Sequence, residues 1–342
     1  MRCHEVQLSE IPDDKVTAEH FMVAEVDVAE CGDGQVLVGL RRLGLNAGLA
    51  HRLGGEGTAY GPGIGIGDVP SSDAVVEVLE SRHGDFAVGD LAVGKMQWRT
   101  AAVIDGSELT TIGADLSEEE LNARLTVLGH VGFTAWTGIM HVGQVQPDDV
   151  VYVSGAAGGV GSCVVQFAKA VGATVIGVAG SAEKVKLLTE TMGADRAINR
   201  HDGDATELLR DAAPDGISLY YDNVGGAQLE AALDVLSDGG AIVMCGAVAG
   251  SEPPRNLRNF IHKELTMQGF TVTEHEDLRG EFEEQVSGWM DEGKVQSIHT
   301  VFEGIDQVPA AFASLLEGSS TGRVIVAVES QLPGHSDPGR LR

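Results

Sequence analysis

"VYVSGAAGGVGSCVVQFAKAVGATVIGVAGSAEK", residues 151–184, is an apolar run, a glycine cluster, an apolar-striped segment and a second apolar run. Val150–Ser154 reads as a strand. Val160, Val164, Phe167, Ala168 and Val171 then recur at helical spacing. Ala173–Val178 reads as a second strand, and Ser181 is placed to N-cap a helix carrying Val185, Leu188 and Met192. The turn between the first strand and its helix, Ala156–Gly161, fits A-x-G-x-x-G, a variant of the dinucleotide fingerprint. Ala156 takes the first glycine's place. Gly158 lets main-chain N–H groups approach a pyrophosphate, and Gly161, after Gly159 and Val160, allows helix to pack closely on strand. The helix N-terminus offers unpaired N–H groups and a positive dipole end to the phosphates. A glycine turn alone is a weak signal, but here strand, helix and second strand stand in the required order.

The end of the second strand discriminates between cofactors. An NAD site carries a carboxylate there to hold the ribose 2′-OH. This chain instead has Gly180 and Ser181, with Glu183 past the turn where it complements the helix N-terminus. A 2′-phosphate is then not repelled. Lys184 can approach it, and Arg200, after the third strand, can make a bidentate contact. The expected cofactor is NADP(H).

Working outward, strands and helices alternate from about 126 to 297. Arg196–Asn199 and Ile217–Tyr221 read as short strands. Leu229, Ala232, Leu233 and Leu236 mark a helix ending before Gly239-Gly240, and "AIVMCG" and "ELTMQGFTV" read as the last two strands. Repeated β-α-β units imply a parallel sheet with right-handed crossovers. Residues 1–125 carry β-type runs broken by a glycine-rich tract, "GGEGTAYGPGIGIGD", and read as a mostly antiparallel β domain. A late helix (Phe312, Leu315, Leu316, then Gly318) and the strand "RVIVAV" are expected to return to that first domain, and "LPGHSDPGRLR" to fray. The fold class is α/β in two domains, 126–297 and 1–125 with 298–342.

Composition narrows the partners. The 342 residues carry a net charge of −28, which repels nucleic acid and anionic lipid. Seven of the 23 basic residues are lysine, which fits either a high-salt cytoplasm or an arginine-favouring genome. No stretch suits a secretory leader or a membrane span, and the four cysteines lie far apart without C-x-x-C, so a cytoplasmic protein is expected. The eleven histidines show no H-x-x-x-H, and no metal is expected. "GSSTG" at 318–322 matches a nucleophile elbow formally, but a helix precedes it and a strand follows, the reverse of a hydrolase. Cys245 reads as a packed small side chain.

"LGHVGFTAWTGI", "GAAGGVGS", "VAGSAEK", "PDGISLYYDNVGG", "MCGAV" and "MQGFTV" occur in order, with "GDLAVGKMQW" before them and "EGSSTGRVIVAV" after. Together they resemble the zinc-independent medium-chain dehydrogenase/reductases, in the branch of prostaglandin reductases (leukotriene B4 12-hydroxydehydrogenase) and 2-alkenal double-bond reductases. The resemblance implies a Rossmann domain beside a mostly β, GroES-like catalytic domain built from both chain ends. It also implies hydride transfer from NADPH to an α,β-unsaturated ketone or aldehyde, and a homodimer. Thr134 would lie near the nicotinamide, and Ala156–Ser162 would cradle the pyrophosphate. Gly180, Ser181 and Lys184 would flank the phosphorylated ribose. Asn223, Cys245, Gly246, Ala247, Val248, Phe270, Thr271 and Val272 would line the nicotinamide end.

This chain also departs from the family. Arg200 replaces a tyrosine, and Ser320, counted with the cofactor-binding candidates, and Thr321, Gly322 and Arg323 replace N-x-G-K. Asn46, Ala47, Gly48, Leu49 and Ala50 replace D-P-Y-M-R. Tyrosines of the family fall at Ala101, Trp136 and about Ser251, so the substrate half is rewritten. Asn46, His51, Trp136 and Ser251 are the substrate-pocket candidates, and no general acid is named. The expected function is an NADPH-dependent C=C reductase of enones. Quinone reduction is the nearest alternative, and a non-catalytic NADPH sensor is the alternative of another class.

Overall fold

The computed structural model describes residues 1–55, 57, 61–250 and 252–330. Ser251 and the expected fraying of 332–342 lie outside them. The chain divides into two compact units, Thr126–Ile298, and Met1–Leu125 together with the chain from His299.

The Thr126–Ile298 unit is built on six strands: Val150–Val153, Thr174–Ala179, Arg196–Asn199, Ile217–Asp222, Leu236–Met244 and Thr266–Gly269. All pairings are parallel, and counted along the chain their spatial order is 3-2-1-4-5-6, the order of a doubly wound nucleotide-binding sheet. The central strands Val150–Val153 and Thr174–Ala179 read as near-continuous apolar runs because crossover helices cover such a sheet on both faces. Tyr152 and Tyr220 are directly paired across the two central strands and stack at 5.1 Å, both fully buried. The helix Gly159–Val171 ends at Gly172, whose φ of +109° suits the left-handed cap that glycine adopts without a Cβ penalty.

Two boundaries differ from the sequence expectation. The helix expected to carry Leu236 stops at Val235, and Leu236 opens the fifth strand opposite Ile217, so Gly239-Gly240 lies inside a strand. Leu236 is buried in the strand, so its apolar side chain satisfied either period. In "ELTMQGFTV" only Thr266–Gly269 pairs, because Phe270 has passed the end of the neighbouring strand and Val272 opens a short 3-10 segment. The motif around Thr134 is itself helical, His130–Trp136, and continues as a π-turn over Thr137–Val142.

In the other unit Gln35–Gly44 pairs antiparallel with Ser71–Ser81, which pairs with Leu91–Gln97 and, through it, Thr110–Gly113. On its other side Gln35–Gly44 accepts Arg323–Ala327, antiparallel, followed by His299–Glu303. The C-terminal strand thus completes the N-terminal sheet. All five of its residues are buried, Val324–Ala327 as an apolar run and Arg323 through its hydrogen bonds to Gly44 O and Asp73. Phe21, Trp98 and Phe312 pack within 6.0 Å of one another by ring centroid, tying the N-terminal hairpin to the helix Val308–Glu317. "GSSTG" sits between that helix and the strand Arg323–Ala327, in the order opposite to a nucleophile elbow.

Candidate functional site

The site is built at the carboxyl ends of the parallel strands, around the point where their order reverses. After Val153 the chain turns through Gly155, at φ +58°, and enters the helix at Gly159. The first bond of that helix runs from Ser162 N to Gly158 O, which leaves the amides of Gly159, Val160 and Gly161 as its end donors. Gly161 is required by contact: a Cβ there would lie 2.3 Å from Gly155 O and 2.8 Å from Ala156 Cα. Ala156 and Gly161 are buried, whereas Gly158, Gly159 and Val160 are partly open.

The second strand ends at Ala179, and Ser181 caps the next helix by accepting from Lys184 N. The Arg200 guanidinium lies over Gly180: a Cβ at 180 would be 3.1 Å from Arg200 Cζ. Arg200 N is bonded to Ala179 O, and its Nε donates to His201 Nε2 at 3.3 Å. Partial burial and then the repulsion of Arg200 hold the Lys184 ammonium below its ordinary value. Two cations therefore converge at the strand end that lacks a carboxylate, in a chain of net charge −28.

Around the third turn Asn223 is half-buried, and its Nδ2 is committed to Ser154 O at 2.8 Å. Cys245 and Gly246 follow the fifth strand, with Ala247 and Val248 exposed beyond them. Burial pushes the Cys245 thiol up to about 11, as expected of a packed side chain rather than a nucleophile. Thr134 Oγ1 donates to His130 O, and Thr134 O accepts from the buried Tyr221 hydroxyl at 3.2 Å. That contact needs Gly138, where a Cβ would meet Tyr221 Oη at 2.5 Å and Phe270 at 2.9 Å. Phe270 is half-buried, Thr271 exposed and Val272 buried. Next to them Glu276 forms a two-point ion pair with Arg279 at 2.6 and 2.9 Å, and Arg279 lies 4.3 Å over the Phe133 ring.

The substrate-pocket candidates fare less well. Trp136 is a core residue, fully buried against Phe282 and His141, and its Nε1 donates to Gln285. This corrects its assignment to a pocket: an indole in a helical core buries its N–H only with a partner. Asn46 is exposed, but its Oδ1 accepts from Gly48 N as the cap of a short 3-10 turn, Ala47–Arg52, on which His51 is exposed. Ser320 is half-buried before the last strand. Arg323, in the family's lysine place, is buried and donates to Gly44 O and Asp73. Asp222 was missed by the sequence reading. It is fully buried and gathers main-chain and side-chain donors from three turns. The available signal was a carboxylate closing an otherwise apolar strand. Among the described residues no group of three or more His, Cys, Asp or Glu is placed to hold a metal ion.

Fold and site define a class first: a Rossmann unit and a GroES-like unit in one chain, the plan of the medium-chain dehydrogenase/reductases. Family models agree, with residues 159–291 matching "Zinc-binding dehydrogenase" and 4–112 matching "N-terminal domain of oxidoreductase". The chain is 33% identical to the NADPH-dependent curcumin reductase of Escherichia coli (strain K12), covering 91% of this chain and 92% of that protein. It is also 33% identical to prostaglandin reductase 1 of Bos taurus, over 91% and 94% of the two chains. Among solved structures, CurA from Vibrio vulnificus in complex with NADPH superimposes with a TM-score of 0.89 at 30% identity, over 96% of this chain and 99% of the other. The chain belongs to the medium-chain dehydrogenase/reductase family, in its zinc-independent reductase branch, and is an oxidoreductase.

Proposed function

We propose that the protein is an NADPH-dependent reductase that delivers hydride to the β-carbon of an α,β-unsaturated ketone or aldehyde. The observation that carries the reading is the convergence of Lys184 and Arg200 at Gly180, where an NAD-specific site would place a carboxylate. The residues present suit the cofactor. The helix-end amides of Gly159, Val160 and Gly161 would hold the diphosphate, and the two cations the 2′-phosphate. Thr134, Asn223, Cys245–Val248 and Phe270–Val272 would line the nicotinamide half. Bound NADPH would supply the hydride. The chain's own part is to orient acceptor and donor and to set hydrogen-bond donors where negative charge develops on the carbonyl oxygen.

The relatives support the substrate class: curcumin, prostaglandin and 2-alkenal reductases all carry such names. We place the protein in the cytoplasm, which the lack of a disulfide among its four cysteines suits, and among the described residues no helix is long and apolar enough to cross a membrane. We propose a homodimer, supported by the strand Thr266–Gly269, exposed at all four residues at the edge of the parallel sheet and able to pair with its copy. Light scattering tests that pairing, and a monomer would overturn it. NADPH consumption across a panel of enones and quinones tests the activity. Turnover on quinones alone would favour quinone reduction, and tight cofactor binding without turnover on any acceptor would favour a sensor.

A further inference from the structure

We propose that Asp222 is a positioning residue, which holds the three turns of the diphosphate- and nicotinamide-binding half in register without itself touching the cofactor. The proposal rests on the cofactor reading above. Its ground is a convergence of hydrogen bonds on one buried side chain. Oδ1 of Asp222 accepts from Ser154 Oγ at 3.0 Å, Tyr220 Oη at 2.7 Å, Val224 N at 2.9 Å and Gly225 N at 2.7 Å. Its main-chain oxygen accepts from Cys245 N at 2.9 Å and Gly246 N at 3.0 Å. Ser154 carries the link to the third turn: its Oγ accepts from Asn223 N and its carbonyl from Asn223 Nδ2.

One residue thereby ties together the carboxyl ends of Val150–Val153, Ile217–Asp222 and Leu236–Met244. Each of these strands runs directly into a turn that carries candidate cofactor residues: Ala156–Gly161, Asn223, and Cys245–Val248.

The arrangement is costly for a purely structural strut. A carboxylate with no exposed surface loses its hydration, and Oδ2 has no hydrogen-bond partner. Two neutral acceptors would serve the same amides at less desolvation. What a carboxylate adds is strength and direction: hydrogen bonds to an ionised group are shorter and stronger. It also faces the amino end of the helix Gly226–Val235, whose cap Gly225 has no side chain to offer. The supporting layer is rigid as well. Tyr220 stacks on Tyr152, and the Tyr152 hydroxyl donates to Gln228 in that same helix. Burial raises both phenols, so Tyr220 stays protonated and keeps donating to Asp222.

The proposal separates the two halves of the cofactor, and so does its test. Full-length wild type, Asp222→Asn and Ser154→Ala are titrated with NADPH and with adenosine 2′-monophosphate, which has the phosphorylated ribose but neither the diphosphate nor the nicotinamide. Asp222→Asn should weaken NADPH about tenfold or more while adenosine 2′-monophosphate changes less than about twofold, the size expected for hydrogen bonds to a charged group lost from one half only. Ser154→Ala keeps the carboxylate and should show the same split at about three- to tenfold. It therefore decides the matter should Asp222→Asn fail to fold. Unchanged NADPH affinity in a folded variant, or equal weakening of both ligands, would overturn the proposal. A wild type that binds neither ligand would instead remove the cofactor reading, and this proposal with it.

Discussion

The two ends of the Rossmann unit are made by different means. At the edge of the sheet, side-chain charge is gathered: Lys184 at a helix start and Arg200 on a turn, with Gly180 leaving room for the guanidinium. At its centre, the turns after the first, fourth and fifth strands are held by a buried carboxylate and by backbone contacts too close for a Cβ. The difference separates two questions that a binding constant merges. On the proposed reading the edge decides which nucleotide is preferred, and the centre how firmly its diphosphate and nicotinamide are held.

The largest effect should come from the centre. In Gly161→Val the new Cβ would lie 2.3 Å from Gly155 O, and that carbonyl belongs to the same turn and cannot swing aside. Stability should fall by about 2–3 kcal/mol and NADPH and NADH binding alike by more than about a hundredfold, read by denaturant unfolding and fluorescence titration. Retained binding of either nucleotide would mean the turn is not the diphosphate cradle.

The edge should behave oppositely. Arg200→Ala and Lys184→Ala are each expected to weaken NADPH by about ten- to a hundredfold while leaving NADH within about twofold, since only the phosphate contact is lost. Parallel losses for both nucleotides would erase the distinction between edge and centre.

Trp136→Phe sharpens the comparison from the substrate side. The variant loses the Nε1 hydrogen bond to Gln285 but keeps most of the buried ring. Stability should drop by about 1–2 kcal/mol, with KM for an enone unchanged. A raised KM at unchanged stability would return Trp136 to the pocket.

The convergence of Lys184 and Arg200 near Gly180 was legible in the sequence because it is written in residue types at fixed offsets. A missing carboxylate after the second strand, a lysine three residues past the cap and an arginine after the third strand can be read without coordinates. The sheet was legible for a similar reason, since parallel strands are apolar runs spaced by helices. The centre was hidden. Nothing local marks Asp222 as the acceptor for Ser154, because that bond joins residues 68 positions apart. Trp136 misled for the converse reason: its place in a motif suggested a pocket, while its burial depends on Phe282 and Gln285, far along the chain. The helix end at Val235 was missed because Leu236 is buried whether helix or strand continues.

The smallest expected effect concerns protons at the edge. Burial and the neighbouring Arg200 depress the Lys184 ammonium in the free protein, so it loses its proton at lower pH than an ordinary lysine. A phosphate dianion seated against both cations favours the charged ammonium and raises it again. Between those two values the complex holds a proton that the free protein has lost, so NADPH binding takes up protons in that interval. Affinity for NADPH should therefore be flat between the phosphate's own second pKa, about 6, and the free-protein lysine value, and fall as pH rises through the interval, with a slope of at most about tenfold per pH unit for one proton. NADH, without the phosphate, should show no such slope. Lys184→Arg, which keeps the charge across the range, should flatten the NADPH curve while preserving most of the affinity. Calorimetry in buffers of different ionisation enthalpy reads the proton uptake directly. If NADPH and NADH weaken in parallel with pH, Lys184 does not meet the phosphate, and the preference for NADPH must rest on Arg200 alone.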